Sequence, residues 1–287
     1  MFLQPERLTL SAEELDFFRK QLGTEDEAEI KAHIFKVATD AYEVYSYGCI
    51  GEFVFVKTKS LFYDRYDPDL TYRAALRLCS EREGGLYLDY GCCFGVDLRK
   101  AVSDGLPVQK AIGVDIHPEF WDLGHALFRS SSETFPVAFV RGNAFDPSFV
   151  AGKGPCTQIP KTDPPDLKSL TSLAPLQGRI SAIHTALVFH LFGRDEQLEL
   201  ARVLSSLLSP TSGSVIFGCQ AGKTVAGDRV NFKGEIRFSH SPESWEELWN
   251  GQVFPAGSVR VKSKLIPVPA QEYNGVDAVL LWSCTIL

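Results

Sequence analysis

Residues 86–95 read Leu-Tyr-Leu-Asp-Tyr-Gly-Cys-Cys-Phe-Gly, which is a short apolar run, an acidic residue and a turn that holds two glycines. The apolar run predicts a strand at 86–88, and the pattern after the turn predicts a helix over 96–102. Glycine suits a turn that a ligand approaches closely, because it carries no Cβ to obstruct the backbone. The stretch therefore predicts the first strand, ligand-binding turn and helix of an open parallel sheet.

The chain beyond this turn alternates between predicted strands and predicted helices. Apolar runs that predict strands lie at 111–114, 137–140, 180–183, 213–217, 258–266 and 276–285. This alternation is typical of an α/β protein with helices on both faces of a parallel sheet. No helix is predicted between the last two strands. We therefore expect a Rossmann-like, doubly wound sheet of seven strands that carries an antiparallel edge strand.

The first 80 residues predict helices instead of strands. Ser11 followed by Glu14 is a capping-box pattern that opens a helix. Helices are predicted over 11–20, 26–45 and 69–80. We therefore expect two units, an N-terminal helical cap over 1–80 and an α/β core over 81–287.

The composition is that of an ordinary globular protein, and it excludes several classes of function. The 287 residues include 29 Lys and Arg against 36 Asp and Glu, a net charge of -7. This acidity argues against a nucleic-acid partner, which requires a concentrated basic patch. Cysteine and histidine show neither a disulfide framework nor metal-ligand spacing. The chain opens without a signal-peptide pattern and lacks a run of the ~20 apolar residues of a membrane span, so we expect a cytoplasmic protein.

Two nucleotide-binding motifs compete for the turn at 89–95. The dinucleotide fingerprint G-x-G-x-x-G requires glycine at 91, 93 and 96, and only Gly91 matches. The S-adenosylmethionine motif D/E-x-G-x-G-x-G is matched by Asp89, Gly91 and Gly95 but not by Cys93. An acidic residue here would repel a pyrophosphate, whereas it suits a cofactor that carries an ammonium and a sulfonium. The turn therefore favours S-adenosylmethionine over NAD, and a plain glycine turn without a ligand is the remaining alternative.

Two further loops are predicted at the same edge of the sheet. Asp115 ends the second strand, where an acid accepts hydrogen bonds from the ribose hydroxyls of an adenosine. After the third strand, Asn143 is expected at the adenine edge and Phe145 beside the adenine face. A helix cap at Asp115 and an ordinary Gly-Asn turn are the alternatives. The predicted cofactor-binding residues are Asp89, Gly91, Cys92, Gly95, Asp115, Ile116, Asn143, Ala144 and Phe145.

Two histidines follow the fourth strand and are the catalytic candidates. His184 is expected at its carboxyl end and His190 six residues later. Histidine titrates near neutrality, so either side chain could take the proton of a hydroxyl acceptor. The alternatives are that His184 only orients a ligand and that His190, which has apolar neighbours, is a hydrogen-bonded core residue.

Several stretches together resemble a known family. They are YLDYGCCFGVDLRKAVSDG (87–105), GVDIHPEFWDLGHALF (113–128), SAIHTALVFHLF (181–192), HSPESWEELW (240–249) and AYEVYSYGCI (41–50). They resemble class I S-adenosylmethionine-dependent methyltransferases of fungal secondary metabolism, in particular a group that acts in meroterpenoid and polyketide pathways. The double cysteine of the turn belongs to this resemblance, whereas residues 45–50 lack the proline expected there. The resemblance implies methyl transfer to oxygen, either to a carboxylate or to a hydroxyl of a polyketide-derived ring.

The predicted acceptor pocket is formed by the N-terminal helices, the proline-rich loop at 147–177 and an irregular stretch at 220–240. Candidate apolar walls for a lipophilic substrate are Tyr42, Tyr45, Trp121 and Phe189. An ionised carboxylate acceptor requires no general base, whereas a hydroxyl does. Two other functions stay open at this point: a methyltransferase fold with an isomerase or binding role, and an NAD-dependent oxidoreductase. The oligomeric state that we propose at this point is a homodimer.

Overall fold

A computed structural model of the chain describes residues 3–67, 69, 71–231, 233–267 and 278–287. Among these residues, five α-helices precede the first strand: α1 (Ala12–Leu22), α2 (Glu27–Val44), α3 (Gly48–Gly51), α4 (Lys59–Tyr66) and α5 (Thr71–Glu81). The three predicted helices correspond to α1, α2 and α5. The helices α3 and α4 were not predicted, because α4 is rich in aromatic residues, which are indifferent helix formers, and tertiary packing stabilises it.

The predicted capping box is present at the start of α1. The Ser11 hydroxyl accepts a hydrogen bond from the backbone N–H of Glu14 at 3.2 Å. The Glu14 carboxylate accepts one from the backbone N–H of Ser11 at 2.8 Å. These bonds satisfy two N–H groups that a helix leaves without an internal partner.

The described residues contain nine strands. They are β1 (Tyr87–Tyr90), β2 (Ala111–Asp115), β3 (Ala138–Arg141), β4 (Ala182–Ala186), β5 (Val215–Gly222), β6 (Gly227–Val230), β7 (Ile236–Ser239), β8 (Val259–Pro267) and β9 (Ala278–Ile286). Seven of them form one sheet in the order β3-β2-β1-β4-β5-β9-β8. The doubly wound, seven-stranded sheet is therefore confirmed. Residues 276 and 277 of the last predicted strand lie outside the described residues.

The position of the antiparallel strand differs from the prediction. β9 is antiparallel to both of its neighbours and lies between β5 and β8, so it is not an edge strand. Its side chains are buried along most of its length, whereas β8 exposes Arg260, Lys262 and Lys264. Charged side chains on an edge strand protect it from pairing with other chains, which accounts for β8 taking the outer position.

Helices α6 (Val96–Ser103), α7 (Pro118–Leu127), α8 (Arg194–Leu207) and α9 (Pro242–Trp249) cover the sheet. The stretch at 220–240, predicted to be irregular, instead contains β6 and β7. These strands pair antiparallel as a hairpin outside the main sheet. The sequence does not predict this hairpin, because charged residues interrupt its apolar pattern. Its apolar residues Val230 and Ile236 are also 69% and 65% exposed, so they do not form a buried face.

The N-terminal helices and the core share one apolar cluster. It contains Phe18 and Ile34 from the helices together with Phe94 of the glycine turn and Phe120 of α7. The rings of Phe18 and Phe128 stack with their centroids 5.6 Å apart. Each such side chain contributes roughly 1.5–3 kcal/mol when it is fully buried. The helices are therefore packed directly against the turn that begins the predicted site, and the division into units 1–80 and 81–287 stays a prediction.

In the described ranges, every helix is too short or too polar to cross a lipid bilayer.

Candidate functional site

A cavity of about 530 Å³ opens where the carboxyl ends of β1, β2 and β4 meet. Ligands bind at this edge of open α/β sheets. The cavity brings together eight of the nine predicted cofactor-binding residues, both histidines and one predicted wall. These are Asp89, Gly91, Cys92, Asp115, Ile116, Asn143, Ala144, Phe145, His184, His190 and Tyr45. The remaining cofactor candidate, Gly95, ends the turn, is not among the described residues that line the cavity, and packs against Trp121.

The glycine turn contains three alternate residues in the left-handed region. Gly91 has a φ of 77°, Cys93 of 49° and Gly95 of 67°. A Cβ on Gly91 would overlap the side chain of Val188, which lies across the turn. Glycine adopts this conformation without strain, whereas an L-residue such as Cys93 incurs roughly 1–2 kcal/mol. The backbone N–H of Cys93 donates to Asp115 Oδ2 at 2.9 Å, which fixes the strained residue in place.

Asp115 is held so that its carboxylate borders the cavity. It is 9% exposed, and burial raises its pKa although the backbone N–H groups of His117, Cys93 and Ile116 oppose the shift. Oδ1 accepts a hydrogen bond from the N–H of His117 at 3.0 Å, while Oδ2 accepts that of Cys93. Each carboxylate oxygen can accept a second hydrogen bond. Asp115 can therefore fix the turn and still bind two hydroxyl groups of a ligand.

Asp89 belongs to a buried chain of hydrogen bonds. His184 Nδ1 lies 2.8 Å from Asp89 Oδ1, and its Nε2 lies 2.7 Å from the hydroxyl of Tyr63. Tyr63, Asp89 and His184 are at most 3% exposed. The carboxylate beside Nδ1 identifies that nitrogen as the donor. Asp89 Oδ2 accepts no hydrogen bond from the described residues, so this oxygen can receive a donor from a ligand.

This arrangement limits what His184 can do. Burial alone would lower its pKa, but the adjacent Asp89 carboxylate outweighs burial and raises the pKa above its usual value. Both ring nitrogens already have partners. His184 therefore orients Asp89, and removing a proton from an acceptor would require one of these buried hydrogen bonds to break.

The pKa of His190 is shifted in the opposite direction. Burial, with the nearby charge of Arg229, lowers its pKa to about 3. Its Nδ1 is buried and has no partner among the described residues. The ring is thus neutral at pH 7 and far too weakly basic to deprotonate a hydroxyl efficiently, since a good general base has a pKa near the working pH. His190 can instead offer a hydrogen bond to a ligand.

The predicted walls of the acceptor pocket are only partly brought together. Tyr45 lines the cavity, whereas Tyr42, Trp121 and Phe189 are not among the described residues that line it. Phe189 packs in the core, with its ring centroid 5.0 Å from that of Trp245. Trp121 stacks on Phe139 at 5.0 Å. These rings find apolar partners inside the fold, which is the usual position of large aromatic residues.

The regions that form the cavity also differ from those predicted. The N-terminal helices and the 220–240 stretch line it, as expected, but no residue of the described loop at 147–177 does. Leu173 and Leu176 of that loop belong instead to the apolar core cluster that also contains Leu200 and Leu204 of α8.

Sequence patterns did not indicate Tyr47 and Lys59, which line the cavity, or Tyr63, which hydrogen-bonds to the cavity residue His184. Tyr63 lies on α4, which was not predicted, and Tyr47 lies in the link beside Tyr45, with the two ring centroids 4.3 Å apart. Lys59 is buried, and its ammonium donates to the backbone oxygens of Val54 at 3.1 Å and of residue 57 at 2.7 Å. A lysine inside a predicted link gives no signal of burial, so only the fold could locate it.

The residues present fit an adenosyl cofactor. The turn leaves no room for a Cβ at 91, the Asp115 carboxylate retains acceptor capacity, and Asn143 and Phe145 lie on the loop after β3. The side-chain oxygen of Asn143 accepts the N–H of Phe145 at 3.0 Å, which leaves its amide N–H₂ for an adenine edge. Among the described residues, no group of three His, Cys, Asp or Glu side chains is arranged to hold a metal ion.

Residues 2–56 match a family model described as the meroterpenoid methyltransferase N-terminal domain. This match covers α1, α2 and α3 together with Tyr45.

Three curated relatives resemble most of the chain. O-methyltransferase phiE of Fungal sp. (strain ATCC 74256) is 33% identical over 74% of this chain and 62% of its own length. O-methyltransferase atr3 of Stereocaulon alpinum is 29% identical over 77% of this chain and 56% of its own length. The Asnovolin E/Chermesin D methyltransferase nvfJ of Aspergillus novofumigatus is 31% identical over 80% of this chain and 72% of its own length. The chain therefore spans less than two thirds of the first two relatives.

Proposed function

The chain belongs to the family of fungal secondary-metabolite methyltransferases, and from this we propose that it transfers a methyl group from S-adenosylmethionine to an oxygen of a small lipophilic molecule. The observation that supports this most directly is the position of Asp115. Its carboxylate ends β2, borders the cavity and holds the glycine turn through the N–H of Cys93 at 2.9 Å. The same side chain can thus bind the ribose and fix the turn.

The cofactor, when bound, supplies an electrophilic methyl group on a sulfonium sulfur. The chain's own residues have to position the two reactants and exclude water. Asp89 offers its second oxygen to a cationic group, because its first is held by His184. Holding two reactants in the correct geometry can supply roughly 7–11 kcal/mol of the barrier.

We propose a carboxylate as the methyl acceptor. A hydroxyl acceptor requires a general base, which typically contributes roughly 10²–10⁴ in rate. Neither histidine of the cavity serves that role well, because His184 has both nitrogens engaged and His190 has a pKa of about 3. A carboxylate is already ionised at neutral pH and needs no base.

The apolar walls support a lipophilic substrate. The cavity is lined by Phe55, Phe94, Phe120 and Phe192, in addition to Tyr45. Aromatic side chains contribute large apolar contact areas. We further propose a reducing compartment such as the cytoplasm, since all seven cysteines lie in the described part of the chain as free thiols.

The test combines binding with turnover. Calorimetry should detect binding of S-adenosylhomocysteine, and Asp115→Ala should weaken it by about 10- to 100-fold, because charge-assisted hydrogen bonds to the ribose are lost. Asp122→Ala removes an exposed carboxylate of α7 and serves as the matched control. Labelled S-adenosylmethionine is then offered with aryl carboxylic acids and with phenols of the same size. Absence of binding, or tight NAD binding instead, would refute the proposal, and methylation of phenols alone would refute the carboxylate acceptor.

A further inference from the structure

The hairpin β6–β7 places two arginines side by side at the cavity. Arg229 and Arg237 are direct cross-strand partners, and both line the cavity. Like charges in directly opposed positions destabilise a strand pair. In the hairpin, Arg237 has a counterion, since its guanidinium donates to Glu235 Oε2 at 2.6 Å. An anion beside the guanidinium of Arg229 would stabilise this pair of like charges.

Arg229 lacks such a counterion in the described part of the chain. Its Nη2 donates to the backbone oxygen of His190 at 2.8 Å, which ties the hairpin to the loop after β4. Its Nε is buried and has no hydrogen-bond partner among the described residues. Burial, followed by the charge of Arg237, lowers its pKa. A partly buried cation without a matching carboxylate is expensive unless a ligand supplies the negative charge.

The position of Arg229 distinguishes the acceptor from the cofactor. Asp115 ends β2, whereas His190, which Arg229 contacts, follows β4, and β1 lies between these two strands in the sheet. The arginine is therefore on the far side of the glycine turn from the proposed ribose site. Anions bound there belong to the part of the cavity that the acceptor would occupy.

We propose that Arg229, supported by Arg237, binds the carboxylate of the methyl acceptor and makes the enzyme specific for acids. This inference rests on the proposed function and adds the specificity-determining residues. Arginine suits the role because its planar fork matches a carboxylate and it keeps its charge when it is partly buried. One carboxylate oxygen can accept a hydrogen bond from the guanidinium while the other attacks the methyl group. The new bond joins this oxygen to the methyl carbon, the bond from that carbon to the sulfonium sulfur breaks, and the sulfur is left as a neutral thioether.

The test measures binding separately from turnover. The enzyme loaded with S-adenosylhomocysteine is titrated by calorimetry with 1-naphthoate and with 1-naphthamide, which have the same ring but differ in charge. Wild type should bind the acid more tightly than the amide. Arg229→Gln should weaken naphthoate binding by about tenfold or more, leave naphthamide binding unchanged and so remove the preference. Arg237→Gln should act in the same direction by about threefold.

The control is Arg260→Gln, which removes one exposed charge from β8 at a residue that does not line the cavity. It should change neither affinity. Equal naphthoate binding by wild type and Arg229→Gln, or a wild type that does not prefer the acid, would overturn the inference. A loss of S-adenosylhomocysteine affinity as large as that for naphthoate would assign the arginine to the cofactor's carboxylate and also overturn it. If naphthoate binds through Arg229 but aryl acids receive no labelled methyl group, the anion site stands and the proposed function fails.

Discussion

Gly95→Ala tests whether the second glycine of the turn is required for packing. Gly95 has a φ of 67°, and a Cβ there would lie 2.7 Å from Trp121 Cζ3 and 3.4 Å from Cε3. The indole cannot move aside easily, because it is buried and stacks on Phe139. Alanine in the left-handed region costs roughly 1–2 kcal/mol. Overpacking adds roughly 1–3 kcal/mol, so the free energy of unfolding should fall by about 2–5 kcal/mol in total.

Urea denaturation of matched variants separates the two contributions. Gly84→Ala is the control for the backbone, since Gly84 has a φ of 63° and nothing within 4 Å of its Cβ position. It should cost only about 1–2 kcal/mol. Trp121→Leu removes the ring that the new Cβ would meet. In that background, Gly95→Ala should also cost only about 1–2 kcal/mol, which gives a coupling energy of about 1–3 kcal/mol.

A cost of Gly95→Ala no greater than that of Gly84→Ala would refute the predicted clash with Trp121. A coupling energy below about 0.5 kcal/mol in the double-mutant cycle, the level at which separate sites add, would refute it as well. Either result would mean that the turn and α7 do not approach each other as closely as the structure shows.

Two further predictions concern buried hydrogen bonds and pH. Tyr63→Phe keeps the ring but leaves His184 Nε2 without its hydrogen-bond partner, so the free energy of unfolding measured in urea should fall by about 1–3 kcal/mol. The control, Tyr66→Phe on the same helix, should change it by less than about 0.5 kcal/mol. Equal effects of the two substitutions would contradict the buried chain of hydrogen bonds. Burial, with Arg194, lowers the pKa of His240 to about 4, so below pH 6.5 the unfolded state binds a proton that the native state does not. The stability that comes from keeping His240 neutral is therefore fully present above pH 6.5 and decreases by about 3 kcal/mol towards pH 4. In urea denaturation, His240→Gln should reduce the fall in the free energy of unfolding over that pH window. The same slope in both proteins would argue against this role of His240.

The sequence predicted those features that depend on neighbouring residues. The capping box of α1 is local because Ser11 and Glu14 lie within one helical turn, and it was confirmed. The alternation of apolar runs and helices predicted the seven-stranded sheet because strands buried on both faces are apolar throughout. The glycine turn was recognised for the same reason, since it is a property of seven consecutive residues.

Other features depend on contacts between distant parts of the chain. Tyr63 and His184 are 121 residues apart, and their hydrogen bond exists only because α4 packs over β4. A single histidine gives no indication that both of its nitrogens will be occupied. For this reason the sequence suggested a base at His184, whereas only the structure shows that its two ring nitrogens are hydrogen-bonded to Asp89 and Tyr63.

The strand order and the charged hairpin were also decided by tertiary packing. Local sequence shows that a segment is extended, but its neighbours in a sheet depend on which faces can be buried together. This is why β9 lies between β5 and β8 and β8 takes the edge. Likewise, Arg229 and Arg237 are unremarkable charged residues until the hairpin turns them toward the same cavity. The sequence by itself determined the strands of the main sheet, the helices α1, α2 and α5 and the position of the glycine turn, because short-range sterics and periodicity control these features. Only the folded chain decided the protonation and partners of the side chains, because burial and long-range pairing set them.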